Sequence, residues 1–120
     1  SLDQEDINRL VSHLITNNYL NEERYAEAYT SGKHRIKKWG KNKIKLHLKQ
    51  KQVSEYSIKK ALASIEDNEY IENLKNLAIK KIKKHKSLNF ETKAKIIRYL
   101  YQKGYEFDLI NDALDDISNT

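Results

Sequence analysis

Apolar residues recur at intervals of three and four positions along almost the whole chain, with polar and charged residues between them. This spacing is typical of α-helices that bury one face, and it differs from the two-residue alternation of a half-buried strand. The apolar stripes predict seven helices, four of them over about residues 22–38, 41–51, 69–86 and 90–103, and three that carry stripes at residues 7–15, 58–65 and 110–117. Because the chain contains no proline and only three glycines, few residues would break a helix, and the predicted fold class is all-α.

Polar residues and glycines mark the expected helix ends. Residues 17–18, both asparagine, are expected to end the first helix, and Asn21 is expected to cap the second. Gly40 is expected to end the second helix in the left-handed conformation that glycine adopts without strain. Ser54 is expected to cap the fourth helix, and Gly104 to end the sixth.

The stripes repeat along the chain. A shift of 52 residues aligns nine identical residues within 23 positions, and most of them are stripe residues, such as Ile44 with Ile96. Helices that repeat in this way bury their apolar faces by stacking on their neighbours. We therefore predict tandem three-helix repeats in an elongated array. The predicted units are residues 1–53, residues 54–104, and a final helix at 105–120 that packs on the second repeat.

Charge is segregated along the chain in the same repeating way. Residues 33–51 contain nine basic and no acidic residues, and residues 75–103 contain ten basic residues and one acidic residue. Stacked repeats would join the two blocks into a continuous basic surface, which attracts a phosphate backbone or an acidic protein. Lysine-rich helices also occur as solvated faces, but the exclusion of acidic residues from these blocks favours binding.

The candidate binding residues come from both blocks. They are Lys33, Arg35, Lys37, Lys38, Lys41, Lys43, Lys45, Lys49, Lys80, Lys83 and Lys84. Three of them, at 41, 45 and 49, recur every four residues and should form a ridge beside the predicted buried stripe. Trp39 lies between two predicted helices and is a candidate aromatic contact for a base, although a core position is the commoner role for such a residue.

One stretch of the chain resembles a known family. Residues 19–26 read Tyr-Leu-Asn-Glu-Glu-Arg-Tyr-Ala and residues 39–44 read Trp-Gly-Lys-Asn-Lys-Ile, with Tyr29 between them and Leu48, Lys51 and Val53 after them. This succession resembles the RecX regulators of the bacterial recombinase RecA, whose pattern has an aromatic-Leu-Asn/Asp start, a Gly-x-x-Arg-Ile turn and a Leu-x-x-Lys-Gly-Val end. Gln52 stands at the glycine of the last motif, and Lys43 stands where arginine is frequent. The strong part of the resemblance covers residues 19–62.

The resemblance implies both a fold and a function. The repeating unit would be the three-helix repeat of RecX, and a further repeat is expected upstream of Ser1, in keeping with a chain that does not begin with methionine. RecX proteins bind along the recombinase–DNA filament and restrain its assembly, ATP hydrolysis and strand exchange in recombination, repair and the SOS response. The expected partner is therefore a RecA filament, and direct contact with single- or double-stranded DNA is left open.

Two other functions fit the charge pattern. The chain could be a stand-alone helical module that binds DNA or RNA, or a helical-repeat scaffold for an acidic protein. Composition alone does not separate these two functions from regulation of RecA.

Other classes of function find no support in the sequence. It contains no Gly-rich phosphate loop, no His and carboxylate pair at metal-ligand spacing and no serine in a nucleophile elbow. We therefore expect no enzymatic activity, cofactor, metal or small-molecule substrate. No apolar run approaches the roughly 20 residues that span a bilayer, and cysteine is absent. A cytoplasmic protein that does not bind membranes is expected.

Overall fold

The computed structural model describes residues 3–119, apart from the side chains of residues 11, 14–17 and 19. These residues form no strand and six α-helices: α1 (Gln4–Arg35), α2 (Lys41–Gln50), α3 (Glu55–Ala63), α4 (Asp67–His85), α5 (Phe90–Gln102) and α6 (Phe107–Ser118). The molecule is elongated, with principal extents of 75 × 23 × 21 Å. The predicted all-α class and elongated shape are confirmed.

The first two predicted helices form one continuous helix, α1, so the predicted break at residues 17–18 and the predicted cap at Asn21 are wrong. The helix is capped at Asp3, whose carboxylate accepts a hydrogen bond from the backbone N–H of Asp6 at 2.9 Å. Asparagine costs less than about 1 kcal/mol within a helix relative to alanine. Because neither proline nor glycine occurs between residues 4 and 31, nothing forces the helix to end there.

The N-terminal half of α1 was predicted to carry a buried apolar stripe. Ile7 and Leu10 are instead exposed, at 41% and 52% of their full accessible surface. The other three residues of this predicted stripe, Val11, Leu14 and Ile15, lie outside the described side chains. The described part of the stripe therefore has no core to pack against within this chain.

The six helices pack as two three-helix units. α1 packs against α2 and α3, and α4 packs against α5 and α6. The division predicted at residues 53/54 had instead joined α3 to the second unit. Contacts with α1 place α3 in the first unit, since Glu22 accepts a hydrogen bond from the backbone N–H of Ser54 and Glu23 pairs with Lys60 at 3.0 Å. The sequence repeat aligns only α2 and α3 with α5 and α6. It therefore could not predict contacts between α1 and α3, which join residues more than 30 positions apart.

The two units bury equivalent residues. Several pairs of residues separated by 52 positions have both members buried, among them Ile44 and Ile96, Leu48 and Leu100, Ile58 and Ile110, and Ala61 and Ala113. Ala26 and Ala78, on the first helix of each unit, have the same separation and are both fully buried. The sequence repeat is therefore a repeat of core packing.

The ends of α2 and α5 have the same backbone conformation. In each, one residue with positive φ follows the helix: Gln52 at 63° after α2, and Gly104 at 106° after α5. The next residue donates its N–H back into the last turn, Val53 to the carbonyl of Leu48 and Tyr105 to the carbonyl of Leu100. This is the Schellman closure, which favours glycine at the left-handed position because other residues place Cβ too close to the backbone.

The left-handed position of Gln52 generates the first prediction. Gln52→Gly should raise the free energy of unfolding by about 0.5–1 kcal/mol, since relief of left-handed strain exceeds the added entropy of the unfolded chain. The measurement is urea unfolding followed by circular dichroism. The matched control is Gln50→Gly, the same change two residues earlier inside α2, which should lower stability by about 0.5–1 kcal/mol. A Gln52→Gly variant that is less stable than the parent would contradict the strain argument.

Candidate functional site

The two units meet where the segment after α1 passes the turn after α5. The backbone N–H of Gly40 donates to the carbonyl of Lys103 at 2.8 Å, and that of Asn42 donates to the carbonyl of Gly104 at 2.9 Å. A Cβ on Gly40 would lie 2.3 Å from the carbonyl carbon of Gly104, and a Cβ on Gly104 would lie 2.5 Å from the Cβ of Lys43. Both positions therefore require glycine, because the two backbones touch.

This contact corrects the role predicted for Gly40. The left-handed residue after α1 is Lys38, with φ of 60°, whereas Gly40 has φ of −78° and is the N-cap residue of α2. Gly40 is needed for the close approach of Gly104 and not for its own backbone conformation.

Two buried tyrosines close the junction. The hydroxyl of Tyr70 accepts the backbone N–H of Lys41 at 2.9 Å and donates to the carboxylate of Glu106. The hydroxyl of Tyr105 donates to the carbonyl of Lys38 at 2.9 Å, and the two tyrosine rings lie 5.1 Å apart. Burial raises the pKa of Tyr70, and its hydrogen bond to Glu106 raises it further. Burial also raises the pKa of Tyr105.

A buried histidine ties α1 to both sides of the junction. His34 is 1% exposed, its Nδ1 lies 3.0 Å from the carbonyl oxygen of Trp39, and its Nε2 lies 3.0 Å from the amide nitrogen of Asn73 on α4. Since the carbonyl can only accept, Nδ1 donates to it. Both ring nitrogens therefore have hydrogen-bond partners, and the ring has a structural role.

The junction creates a groove between the end of α1, the second half of α4 and the end of α5. Its lining contains six lysines, Lys37, Lys38, Lys80, Lys81, Lys84 and Lys103, together with Ile36, Leu77 and Tyr99. We call it the lysine groove. Within residues 3–119, no acidic residue lines it and none of its lysines forms a salt bridge. Both units contribute cations to it, so it exists only when they are docked.

Lys103 is the most constrained cation of the lysine groove. Its ammonium group donates to the carbonyl of Lys37 at 2.9 Å. Burial lowers the pKa of Lys103, and the positive charges of Lys43, Lys37 and Lys81 lower it further. The groove therefore holds repelling charges in close proximity, an arrangement that a bound anion would stabilise.

Trp39 is half-buried and orders two of the predicted cations. The ammonium groups of Lys33 and Lys43 lie 4.8 and 4.4 Å from its ring centroid, and the ring of His47 lies 4.7 Å away. These distances are within the range of cation–π attraction. Trp39 therefore packs against the core, and its ring holds the ammonium groups of Lys33 and Lys43 in place.

The remaining predicted residues lie apart from the lysine groove. Lys41 is half-buried with its ammonium group 4.9 Å from the ring centroid of Tyr70. Lys45 and Lys49 are exposed and line a separate hollow between α2 and α3 that includes Glu55. The predicted ridge of Lys41, Lys45 and Lys49 is therefore not continuous, because Lys41 packs on Tyr70 at the junction.

Arg35 and Lys83 also lie outside the lysine groove. Arg35 pairs with Glu69 at 3.6 Å, so its charge is partly balanced. Lys83 is exposed on α4 and does not line the groove. Of the predicted residues, the groove brings together those at 37, 38, 80 and 84.

Two groove lysines were missed from the sequence. Lys81 lies one turn of α4 after Leu77, and its ammonium group covers the ring of Tyr99 at 4.2 Å from the centroid. Lys103 ends α5 beside Gly104. A signal for Lys81 was available, since it belongs to the second basic block and shares a helix face with Lys84. The position of Lys103 depends on the junction, which no local pattern reveals.

Family models match both three-helix units. The model of the RecX second three-helix domain matches residues 21–62, and that of the RecX third three-helix domain matches residues 67–114. A regulatory protein RecX from Vibrio parahaemolyticus is 35% identical over 112 residues, which cover 93% of this chain and 71% of that protein. The chain belongs to the RecX family. The family matches divide the chain between residues 62 and 67, in agreement with the packing of α3 in the first unit.

Other RecX proteins are similar in sequence or in structure. A regulatory protein RecX from Clostridium perfringens strain 13 is 34% identical over 120 residues, covering 98% of this chain and 56% of that protein. The chain thus spans about half the length of that relative. The crystal structure of RecX from Lactobacillus salivarius has the same fold, with a TM-score of 0.78 and 23% identity, covering 100% of this chain and 79% of that one.

These relatives carry the name of regulatory proteins and not of enzymes. This RecX chain therefore belongs to a regulatory family, as the sequence resemblance implied. None of the helices in residues 3–119 has the length and apolar character needed to cross a membrane.

The hydrogen bonds of Tyr70 generate a second prediction. Tyr70→Phe should lower the free energy of unfolding by about 1–3 kcal/mol, because the N–H of Lys41 and the carboxylate of Glu106 each lose a partner. Because the pKa of Tyr70 is raised in the folded protein, its contribution to the free energy of unfolding is complete below pH 10.0, the ordinary pKa of tyrosine. This contribution to stability is lost as the pH rises above that value. The stability difference between parent and variant should therefore narrow between pH 9 and pH 11.

Urea unfolding at both pH values measures this difference. Tyr56→Phe is the control, since Tyr56 is 60% exposed, and it should change stability by less than about 0.5 kcal/mol. A Tyr70→Phe effect as small as that of the control would show that the junction does not depend on this hydroxyl.

Proposed function

We propose that this RecX chain binds the RecA recombinase filament through the lysine groove and restrains filament assembly, ATP hydrolysis and strand exchange. The observation that carries the proposal is the convergence of six lysines and no acidic residue, within the described part of the chain, on one groove. Family membership supports the choice of RecA as partner. The chain acts by binding, as a modulator without chemistry of its own.

The electrostatics of the lysine groove support a binding role. Exposed lysines on an ordinary solvated face are interspersed with acidic residues, which balance their charge. Burial lowers the pKa of Lys103, and the positive charges of Lys43, Lys37 and Lys81 lower it further, so the cations around it repel one another in the free protein. Such an arrangement is explained by a polyanionic partner, either the DNA of the filament or an acidic protein surface.

Geometry supports a partner with an extended surface. The molecule is 75 Å long, and the groove lies at the junction between its two units. Separate basic side chains on α2, at Lys45 and Lys49, provide further contacts for a long partner such as a filament. We propose that the protein acts in the cytoplasm, where its partner RecA is found.

The test is the DNA-dependent ATP hydrolysis of the cognate recombinase. A variant with Lys80→Gln, Lys81→Gln and Lys84→Gln removes three groove charges from one helix face. At about 0.5–1 kcal/mol for each charge contact, the concentration for half-inhibition should rise at least about tenfold. The parent chain should inhibit at saturation, and a parent without effect would refute the proposal.

The matched control removes three charges outside the groove, with Arg24→Gln, Lys51→Gln and Lys95→Gln. All three residues are exposed, and none of them lines the groove or the hollow beside Lys45 and Lys49. Because salt screens charges beyond about 8–10 Å, the control should inhibit within about twofold of the parent. Equal losses for both variants would mean that net charge matters and the groove does not.

Binding to free DNA separates regulation of RecA from the function of a stand-alone nucleic-acid module. If the groove lysines neutralise phosphates, the plot of log binding constant against log salt concentration should have a slope that is smaller in magnitude by about 2–3 for the groove variant than for the parent. A flattened slope together with unchanged recombinase inhibition would favour the stand-alone module. If the groove variant loses recombinase inhibition but binds DNA as the parent does, the groove contacts the recombinase protein and not its DNA.

A further inference from the structure

The lining of the lysine groove contains apolar side chains as well as lysines. Ile36 is 77% exposed at the end of α1, and Leu77 and Tyr99 are half-buried beside it. An exposed branched aliphatic side chain among six lysines is not needed to bind a sugar–phosphate backbone, which offers little apolar surface at its charged oxygens. It suits a ligand that brings apolar side chains together with its negative charge.

The aromatic rings near the groove are not free for stacking on bases. The ammonium group of Lys81 lies 4.2 Å from the centroid of Tyr99. Trp39 has Lys33 and Lys43 within 4.8 and 4.4 Å of its centroid and the ring of His47 beside it. Binding of single-stranded nucleic acid combines cations with open aromatic faces, and the aromatic ring that lines the groove, that of Tyr99, already has the ammonium group of Lys81 over it.

The lining cations come from separate segments of the chain. Lys80 and Lys84 are one helical turn apart on α4, and Lys37 and Lys38 follow Ile36 at the end of α1. A segment bound in the groove would meet ammonium groups from both segments as well as apolar side chains. A peptide in which carboxylates flank apolar side chains would match this combination of charge and apolar surface.

We propose that the lysine groove binds a short acidic protein segment in which carboxylates flank one or two aliphatic side chains. This assignment rests on the proposed function, and it names the chemistry of the partner at the same site. Ile36 is the specificity-determining residue because it offers the exposed apolar contact, and the lysines supply affinity that falls with salt.

The test uses three fluorescent probes and anisotropy at one ionic strength. The first is a ten-residue peptide of aspartate and glutamate with two leucines, the second has serines in place of the leucines, and the third is a ten-nucleotide oligothymidylate. The leucine peptide should bind at least about fivefold more tightly than the serine peptide of equal charge, since it also buries apolar surface. It should also bind more tightly than the oligonucleotide.

Ile36→Ser should reduce the affinity for the leucine peptide to that for the serine peptide and leave the serine peptide unaffected. Because Ile36 is exposed, the variant should unfold at the parent's midpoint. The triple groove variant, Lys80→Gln, Lys81→Gln and Lys84→Gln, should weaken both peptides. Equal affinities for the two peptides, tighter binding of the oligonucleotide, or an Ile36→Ser variant that still distinguishes the peptides would each overturn the assignment.

Failure of this assignment differs from failure of the proposed function. If the probes show no preference for leucine but the triple groove variant still loses recombinase inhibition, the acidic segment is wrong and the regulatory function stands. If the leucine preference and its loss in Ile36→Ser are observed while the parent does not inhibit the recombinase, the acidic segment stands and belongs to another protein.

Discussion

The structure depends on the backbone contact between Gly40 and Gly104. Neither residue has room for a Cβ. Two backbone hydrogen bonds, from Gly40 to Lys103 and from Asn42 to Gly104, join the units at this point. Tyr70 and Tyr105 cover this contact from the core side. The buried apolar residues of the two units form one continuous core, and the contact at Gly40 and Gly104 places the end of α1 beside the end of α5, where the lysine groove lies.

The buried core residues and the cations of the lysine groove are separate sets of side chains. The cores of the two units are uncharged and repeat each other, with Ile44 and Ile96 or Leu48 and Leu100 at matching positions. The cations of the groove contribute no salt bridge among residues 3–119, and at Lys103 they repel one another. Charges that do not stabilise the free protein are best explained by a partner that is negatively charged.

Local patterns predicted what local interactions determine. The apolar stripes predicted the fold class and the core pairs, and Ser54 caps α3 as expected, accepting the backbone N–H of Ser57. The continuous α1 was missed because two asparagines weaken a helix without ending it. The unit boundary was missed because it depends on the contacts that Glu22 and Glu23 make with α3, far along the chain.

The candidate site was predicted as one continuous basic surface made from both basic blocks. The depletion of acidic residues identifies lysines at 37, 38, 80 and 84, but the same rule also selects Arg35, which pairs with Glu69. Which lysines converge is decided by the junction, where Lys38 takes the left-handed conformation and Gly40 meets Gly104. No periodicity encodes a contact between two backbones more than 60 residues apart.

Native-state amide hydrogen exchange tests this junction most directly. The N–H groups of Gly40 and Asn42 should exchange only when the protein unfolds, with opening free energies within about 1 kcal/mol of those for core amides such as Ile44. The account predicts that the two units open together. Fast exchange at Gly40 and Asn42, while amides in the middle of α2 and α5 remain protected, would show that the units move independently and that the lysine groove is not a fixed surface.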